Sequence, residues 1–156
     1  MSRLKDLRAI IDRELLELED DEKRISAVNH LYGVSMAAVL IAERRGMDPE
    51  LPAMAAMMHD MNAYLTGSYD DHAHKGAELA RTFLKELGET DPEETELICS
   101  MIYHHNDKGV TDQPYDEVLK DADVMHHCFN DPSKAVKDKE KVRFEQLVKE
   151  FGLQRE

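Results

Sequence analysis

Seven residues that readily ligate a transition metal are spread over more than half of the 156-residue chain: His30, the adjacent pair His59 and Asp60, His72, the adjacent pair His104 and His105, and Asp123. One imidazole alone means little. The His59-Asp60 pair means more, because it closes the apolar run Met54-Ala55-Ala56-Met57-Met58. An imidazole and a carboxylate in an apolar interior lose hydration that partners or a metal must replace. Imidazole together with carboxylate suits Fe, Mn, Zn, Co or Ni better than Ca or Mg alone. Seven donors exceed what one ion with open positions takes. Two divalent ions bridged by Asp60 use them, and a pair of ions about 3.5–4 Å apart can activate water for attack on phosphorus. Asp60 is then the candidate catalytic residue.

Several of these residues have rivals close by. Asp121 competes with Asp123, and His74 with His72. His126 and His127 lie three and four residues past Asp123, a spacing that permits local ligation on a helix; we read them as surface groups or as supports for the ligands. His104 and His105 could instead carry charge at a helix C-terminus, where a cation is favoured. The nine methionines read as core filler, and the acidic stretch at 17–22 as a solvated face.

The elements that must bring these residues together are helices. Three Asp-Pro steps, at 48–49, 91–92 and 131–132, each precede a helix-like segment. Asp caps the free N–H groups there, and Pro tolerates the first helical position. Leu4, Leu7, Ile11, Leu15 and Leu18 form one apolar stripe; Ile25, Val28, Tyr32, Met36, Val39 and Leu40 form a second. Residues 51–61 are apolar nearly all round, which predicts a central helix ending on His59 and Asp60. Further helices are predicted at about 71–87, 92–105, 114–129 and 133–151. No segment alternates with β-branched residues as a strand does. The expectation is an all-α bundle of about six to seven helices with a metal site in its core. One domain spans 1–156, with 1–20 and 133–156 as flanking helices.

Composition excludes some partners. With 33 Asp and Glu against 20 Lys and Arg, the net charge is −13. Such a chain repels a nucleic-acid polymer and an anionic membrane. A small phosphorylated substrate stays compatible where bound metal reverses the local field. Two cysteines, Cys99 and Cys128, are too few for a disulfide framework and suit a reducing cytosol. No apolar leader stands at the N-terminus, and no run approaches a membrane span by inspection. The expected location is cytoplasmic. The segment 135–151, apolar at Val136, Phe144, Leu147 and Phe151, leaves packing on the domain and on a second copy in a homo-oligomer both open.

The order of the ligands, H…HD…H…HH…D, resembles the signature of the HD-domain superfamily over about residues 24–130. Met57-Met58-His59-Asp60-Met61 is similar to its apolar HD core. His72-Ala73-His74-Lys75-Gly76-Ala77 resembles the H-x-x-x-G-A segment of the binuclear branches, and this spacing selects His72 over His74. Ile102-Tyr103-His104-His105 resembles their paired histidines, and Asp121-Ala122-Asp123 the closing D-A-D, whose second Asp is the usual ligand. The resemblance implies one metal on His30, His59, Asp60 and Asp123, and a second on Asp60, His72, His104 and His105.

It also implies a metal-dependent phosphohydrolase acting on a nucleotide or other small phosphate ester. Departures bear on the substrate. Many hydrolytic relatives carry Lys or Arg shortly after the HD pair, where this chain reads Met61-Asn62-Ala63-Tyr64. The Gly-Tyr-Pro segment of cyclic-di-nucleotide phosphodiesterases and the Glu-Asp pair of guanosine tetraphosphate hydrolases are missing. Symmetrical dinucleoside tetraphosphatases share the ligand order but usually have His-Thr in place of His104-His105. Lys75, Lys108 and Lys120 are candidates to meet phosphate, though each reads first as surface charge. Two alternatives remain: a di-iron oxygenase, which the HD fold hosts in some relatives, and a metal-containing nucleotide-binding or regulatory module without turnover.

Overall fold

The computed structural model describes residues 2–155, and all their regular elements are helical. Eight α-helices follow in order: α1 (Arg3–Leu16), α2 (Asp21–Arg44), α3 (Glu50–Met58), α4 (Met61–Thr66), α5 (His72–Leu87), α6 (Pro92–His104), α7 (Pro114–Phe129) and α8 (Lys141–Glu150), with a 3-10 turn at Asp138–Glu140. The second Asp-Pro step starts α6 as expected. The Asp91 carboxylate accepts from the Glu94 N–H, the Glu94 carboxylate accepts from the Asp91 N–H, and Pro92 takes the first helical position. The third step fails. Asp131 turns its carboxylate onto the Ser133 N–H and hydroxyl, a local turn that competes with helix, and regular structure resumes only at Asp138.

Every residue of α3 from Leu51 to Met58 is buried, and α1, α2, α6 and α7 pack around it. The predicted helix over 51–61 does not run through. It stops at Met58, Asp60 sits at φ −109° and ψ 6°, and the chain restarts as α4. That break makes the count eight. Helix α1 is no outer attachment: Leu7, Ile11 and Leu15 are in the core.

The second predicted stripe is a correction. Ile25 is 69% and Met36 64% exposed, while Ala27, His30, Leu31, Val34, Ala38 and Ile41 face inward. Because α2 is apolar on most sides, periodicity alone allowed two faces. The face rich in Ala is the one on which α3 and α7 approach. Helix α2 is also long and apolar enough to cross a bilayer by length and composition, contrary to expectation, but half of its apolar window is buried within the bundle.

Helix α8 is tied down by charge. Arg143 donates to Asp121 at 2.9 Å, to Glu117 at 3.1 Å and to the Lys108 and Val110 carbonyls at 3.0 Å each. Arg45 joins Asp121, at 2.7 Å, to Glu150, at 2.9 Å. Breaking a buried pair strands its carboxylates, so Arg143→Met should lower unfolding stability by about 3 kcal/mol in a denaturant titration. Glu150 is held below the usual carboxylate range, chiefly by the Arg45 hydrogen bond against the opposing effect of burial. A depressed carboxylate stabilises fully above its unfolded value of about 4.3 and loses that contribution as pH falls through the folded one. Hydrogen exchange below that pH should therefore show α8 losing protection before α3.

Candidate metal centre

The turn that ends α3 aims His59 and Asp60 in one direction. Four donor atoms converge there. His30 Nε2, from α2, stands 3.1 Å from Asp60 Oδ2, 3.1 Å from His59 Nε2 and 3.3 Å from Asp123 Oδ1. His59 Nε2 lies 3.3 Å from Asp60 Oδ2 and 3.5 Å from Asp123 Oδ1. Donors bonded to one ion at about 2.1 Å stand about 3.0 Å apart at right angles and about 3.4 Å apart at a tetrahedral angle. Four of the five observed spacings fall in that band, and the fifth, His59 to Asp123, lies just above it. Asp60 Oδ1 faces a second group, with His72 Nε2 at 3.4 Å and His105 Nε2 at 3.3 Å. One carboxylate thus shows each of its oxygens to a different set of imidazoles.

The surroundings fix which ring nitrogen is free. His59 Nδ1 donates to the Ala56 carbonyl at 2.6 Å, His72 Nδ1 to Tyr69 at 3.0 Å and His105 Nδ1 to Ile102 at 2.6 Å. Each leaves its Nε2 lone pair turned to the cluster, as a metal-ligating histidine requires. Asp123 Oδ1 is buried without a hydrogen bond, an acceptor in want of a cation. Its other oxygen takes 2.8 Å contact from Lys108 Nζ. The donor set and its orphaned oxygen fit divalent transition metal.

Charge is concentrated here. Burial would raise the Asp60 carboxyl, but His59, with contacts from His105 and His30, holds it well below the usual range. Asp123 is likewise low despite burial, through Lys108, His30 and His59. Burial pulls the His59 imidazole down, yet Asp60 and Asp123 bring it up to about 10, so its Nε2 carries a proton that a bound ion would displace to use the lone pair.

Of the implied ligand set, His104 is the residue the structure does not bring to the cluster. Its Nδ1 donates to the Ser100 carbonyl at 2.9 Å, the side chain is a third exposed, and Asp112 and Asp116 are its acidic neighbours. Consecutive helical residues point about 100° apart, so α6 turns His105 inward and His104 away. His74 is outside too, paired with Asp71 at 2.8 Å. Asp121 belongs to the arginine network, and Asp123 one turn-face over reaches the cluster.

Two residues have larger places here than sequence reasoning gave them. His127 Nε2 lies 3.5 Å from Asp123 Oδ1, and its Nδ1 is held by Glu140 at 2.9 Å. The i, i+4 spacing from Asp123 was the available signal. Lys108, read first as surface charge, is buried against Asp123 and lines the cavity over the cluster, about 420 Å³ in volume. Lys120 is fully buried as well, but on Asp112 and Glu117.

His126 supports His30. Their Nδ1 atoms lie 3.0 Å apart. Burial first, then the neighbouring His30 and His127, push His126 down to about 4, so it stays neutral and can accept from His30. Gly33 makes room: a Cβ there would stand 2.1 Å from His126 Cδ2. Gly33→Ala should displace that ring, lower stability by about 1–3 kcal/mol from overpacking and weaken metal binding about tenfold. Thermal melts and metal titration would measure both. Gly76 serves the HD turn similarly, since a Cβ there would press on the His59 carbonyl at 3.3 Å.

A family model described as HD domain matches residues 27–127, the span from α2 through the clustered residues of α7. The chain belongs to the HD domain family. It is 31% identical to the protein named "Putative phosphohydrolase YueE" of Bacillus subtilis (strain 168), over 79% of this chain and 82% of that protein. The crystal structure of a predicted HD superfamily hydrolase from an uncultured Thermotogales bacterium superposes with a TM-score of 0.63 at 26% identity, covering 97% of this chain and 90% of the other. The matched span includes the adjacent pair His59-Asp60 at the break between α3 and α4.

Proposed function

We propose that this HD protein is a metal-dependent phosphohydrolase that cleaves a nucleotide or another small phosphate ester with a metal-activated water. The observation that carries this reading is the split of Asp60, with Oδ2 in the His30–His59 group and Oδ1 in the His72–His105 group. A bridging carboxylate between two imidazole sets is what a two-ion site needs. In the first group His30, His59, Asp60 and Asp123 would hold one ion; in the second Asp60, His72 and His105 would hold another. The second set has one protein ligand fewer, which leaves more of its coordination sphere open to water and substrate.

Divalent ions supply, when bound, a water acidified toward neutrality and neutralisation of phosphoryl charge. The chain's residues do the rest. Asp60, kept ionised, sets the spacing of the two ligand groups. Lys108 holds one oxygen of Asp123 so that the other faces the cluster, and it places an ammonium group in the cavity wall. Tyr64, Tyr69 and Asn106 line the same cavity and bound the space left for an ester. Lys108 also supplies a cation in the cavity wall where none follows the HD pair in sequence. That favours hydrolysis over oxygen chemistry.

The test is phosphate release from a panel of nucleotides and p-nitrophenyl phosphate by protein loaded with Fe, Mn, Zn, Co or Ni. Turnover that a chelator removes and one of these ions restores is the expected result. A loaded protein that binds nucleotide and leaves it intact would replace hydrolysis with a sensing role.

A further inference from the structure

Charge along the chain is uneven. Within a protein of net charge −13, residues 134–143 hold five cations (Lys134, Lys137, Lys139, Lys141 and Arg143) and only two acids, Asp138 and Glu140. Lys134, Lys137 and Lys139 line the same cavity as Asp60, His72 and His105. All three are exposed, and among the described residues no carboxylate lies within ion-pair distance of them. Of the acids on that wall, Glu140 is held by His127, and Asp131, hydrogen-bonded to Ser133, offsets part of the Lys134 charge without an ion-pair contact. Unpaired cations gathered at one mouth repel one another and focus the field on an incoming anion. On the phosphohydrolase reading the scissile phosphate would be met by ions held at the His and Asp cluster, which leaves these three ammonium groups surplus to it.

We propose that Lys134, Lys137 and Lys139 form a subsite for phosphates beyond the scissile one, so that the ester cleaved carries a polyphosphate chain. This rests on the phosphohydrolase reading and narrows its substrate class. The irregular backbone from Asp131 onward suits the task. It presents Lys134 and Lys137 from a loop and Lys139 from the short 3-10 turn, and all three line the cavity. Each ammonium is a point charge that tolerates several oxygen positions, as a chain of phosphates requires.

The test compares AMP with the β,γ-methylene analogue of ATP, by calorimetry on metal-loaded protein at fixed free metal and fixed salt. The wild type should bind the triphosphate analogue at least about tenfold more tightly than AMP, with a steeper salt dependence. In K134Q/K137Q/K139Q that ratio should fall to near one. A control of equal charge loss on exposed positions elsewhere, K5Q/K85Q/K149Q, should keep it. An unchanged ratio in the cavity variant, or equal loss in the control, overturns the subsite. Phosphate release from the nucleotide panel and p-nitrophenyl phosphate, followed in parallel, separates the two readings. Turnover with an unchanged ratio removes the subsite alone; no turnover with a collapsing ratio removes the hydrolase and leaves the subsite.

Discussion

Asp60→Ala is expected to empty both metal positions and to lower phosphate-ester turnover by about a thousandfold or more, because each ion loses a charged ligand and the two lose their bridge. Elemental analysis should fall from about two equivalents toward none, where removal of an ordinary ligand would halve the content. The variant should still fold. His59 is drawn up to about 10 in the metal-free chain largely by Asp60, against burial. Without that carboxylate the ring returns toward neutrality, and a neutral imidazole that donates to the Ala56 carbonyl is tolerated in the core. A folded, active Asp60→Ala protein with full metal content would sink the two-ion reading.

The second large effect separates two adjacent histidines. His105→Ala should cost one of two metal equivalents and reduce turnover by about a hundredfold or more, since His105 is one of three protein donors in its group. His104→Ala should keep both equivalents and most activity. The ring touches Ser100, Asp112 in the loop before α7 and Asp116 in its first turn, not the cluster. Equal metal loss in both variants would restore His104 to the ligand set and count against the orientation of α6. Elemental analysis of the two purified variants, with circular dichroism to verify folding, is enough to decide.

Helices were legible in the sequence wherever their cause is local. Asp91-Pro92 with Glu94 specifies its own cap, and the wholly apolar stretch after Glu50 could only be interior. The Asp131-Pro132 step carried the same signal and misled, because a neighbouring serine offered its backbone and hydroxyl to Asp131. Helix α2 misled for another reason. Its periodicity is satisfied by two faces, and the choice depends on which neighbours can approach closely over alanine.

The sequence by itself determined the kinds and order of the candidate ligands, His30, His59, Asp60, His72, His104, His105 and Asp123, and the absence of strand-forming segments. These follow from residue type and spacing. Only the tertiary structure decided direction. Two adjacent residues share a target at His59-Asp60 because the helix breaks there, and do not at His104-His105 because α6 keeps its 100° step to the end. Lys108 and His127 enter for the same reason: their roles depend on where Asp123 points, and that is set by α7 packing on α2 and α6, far apart in the chain.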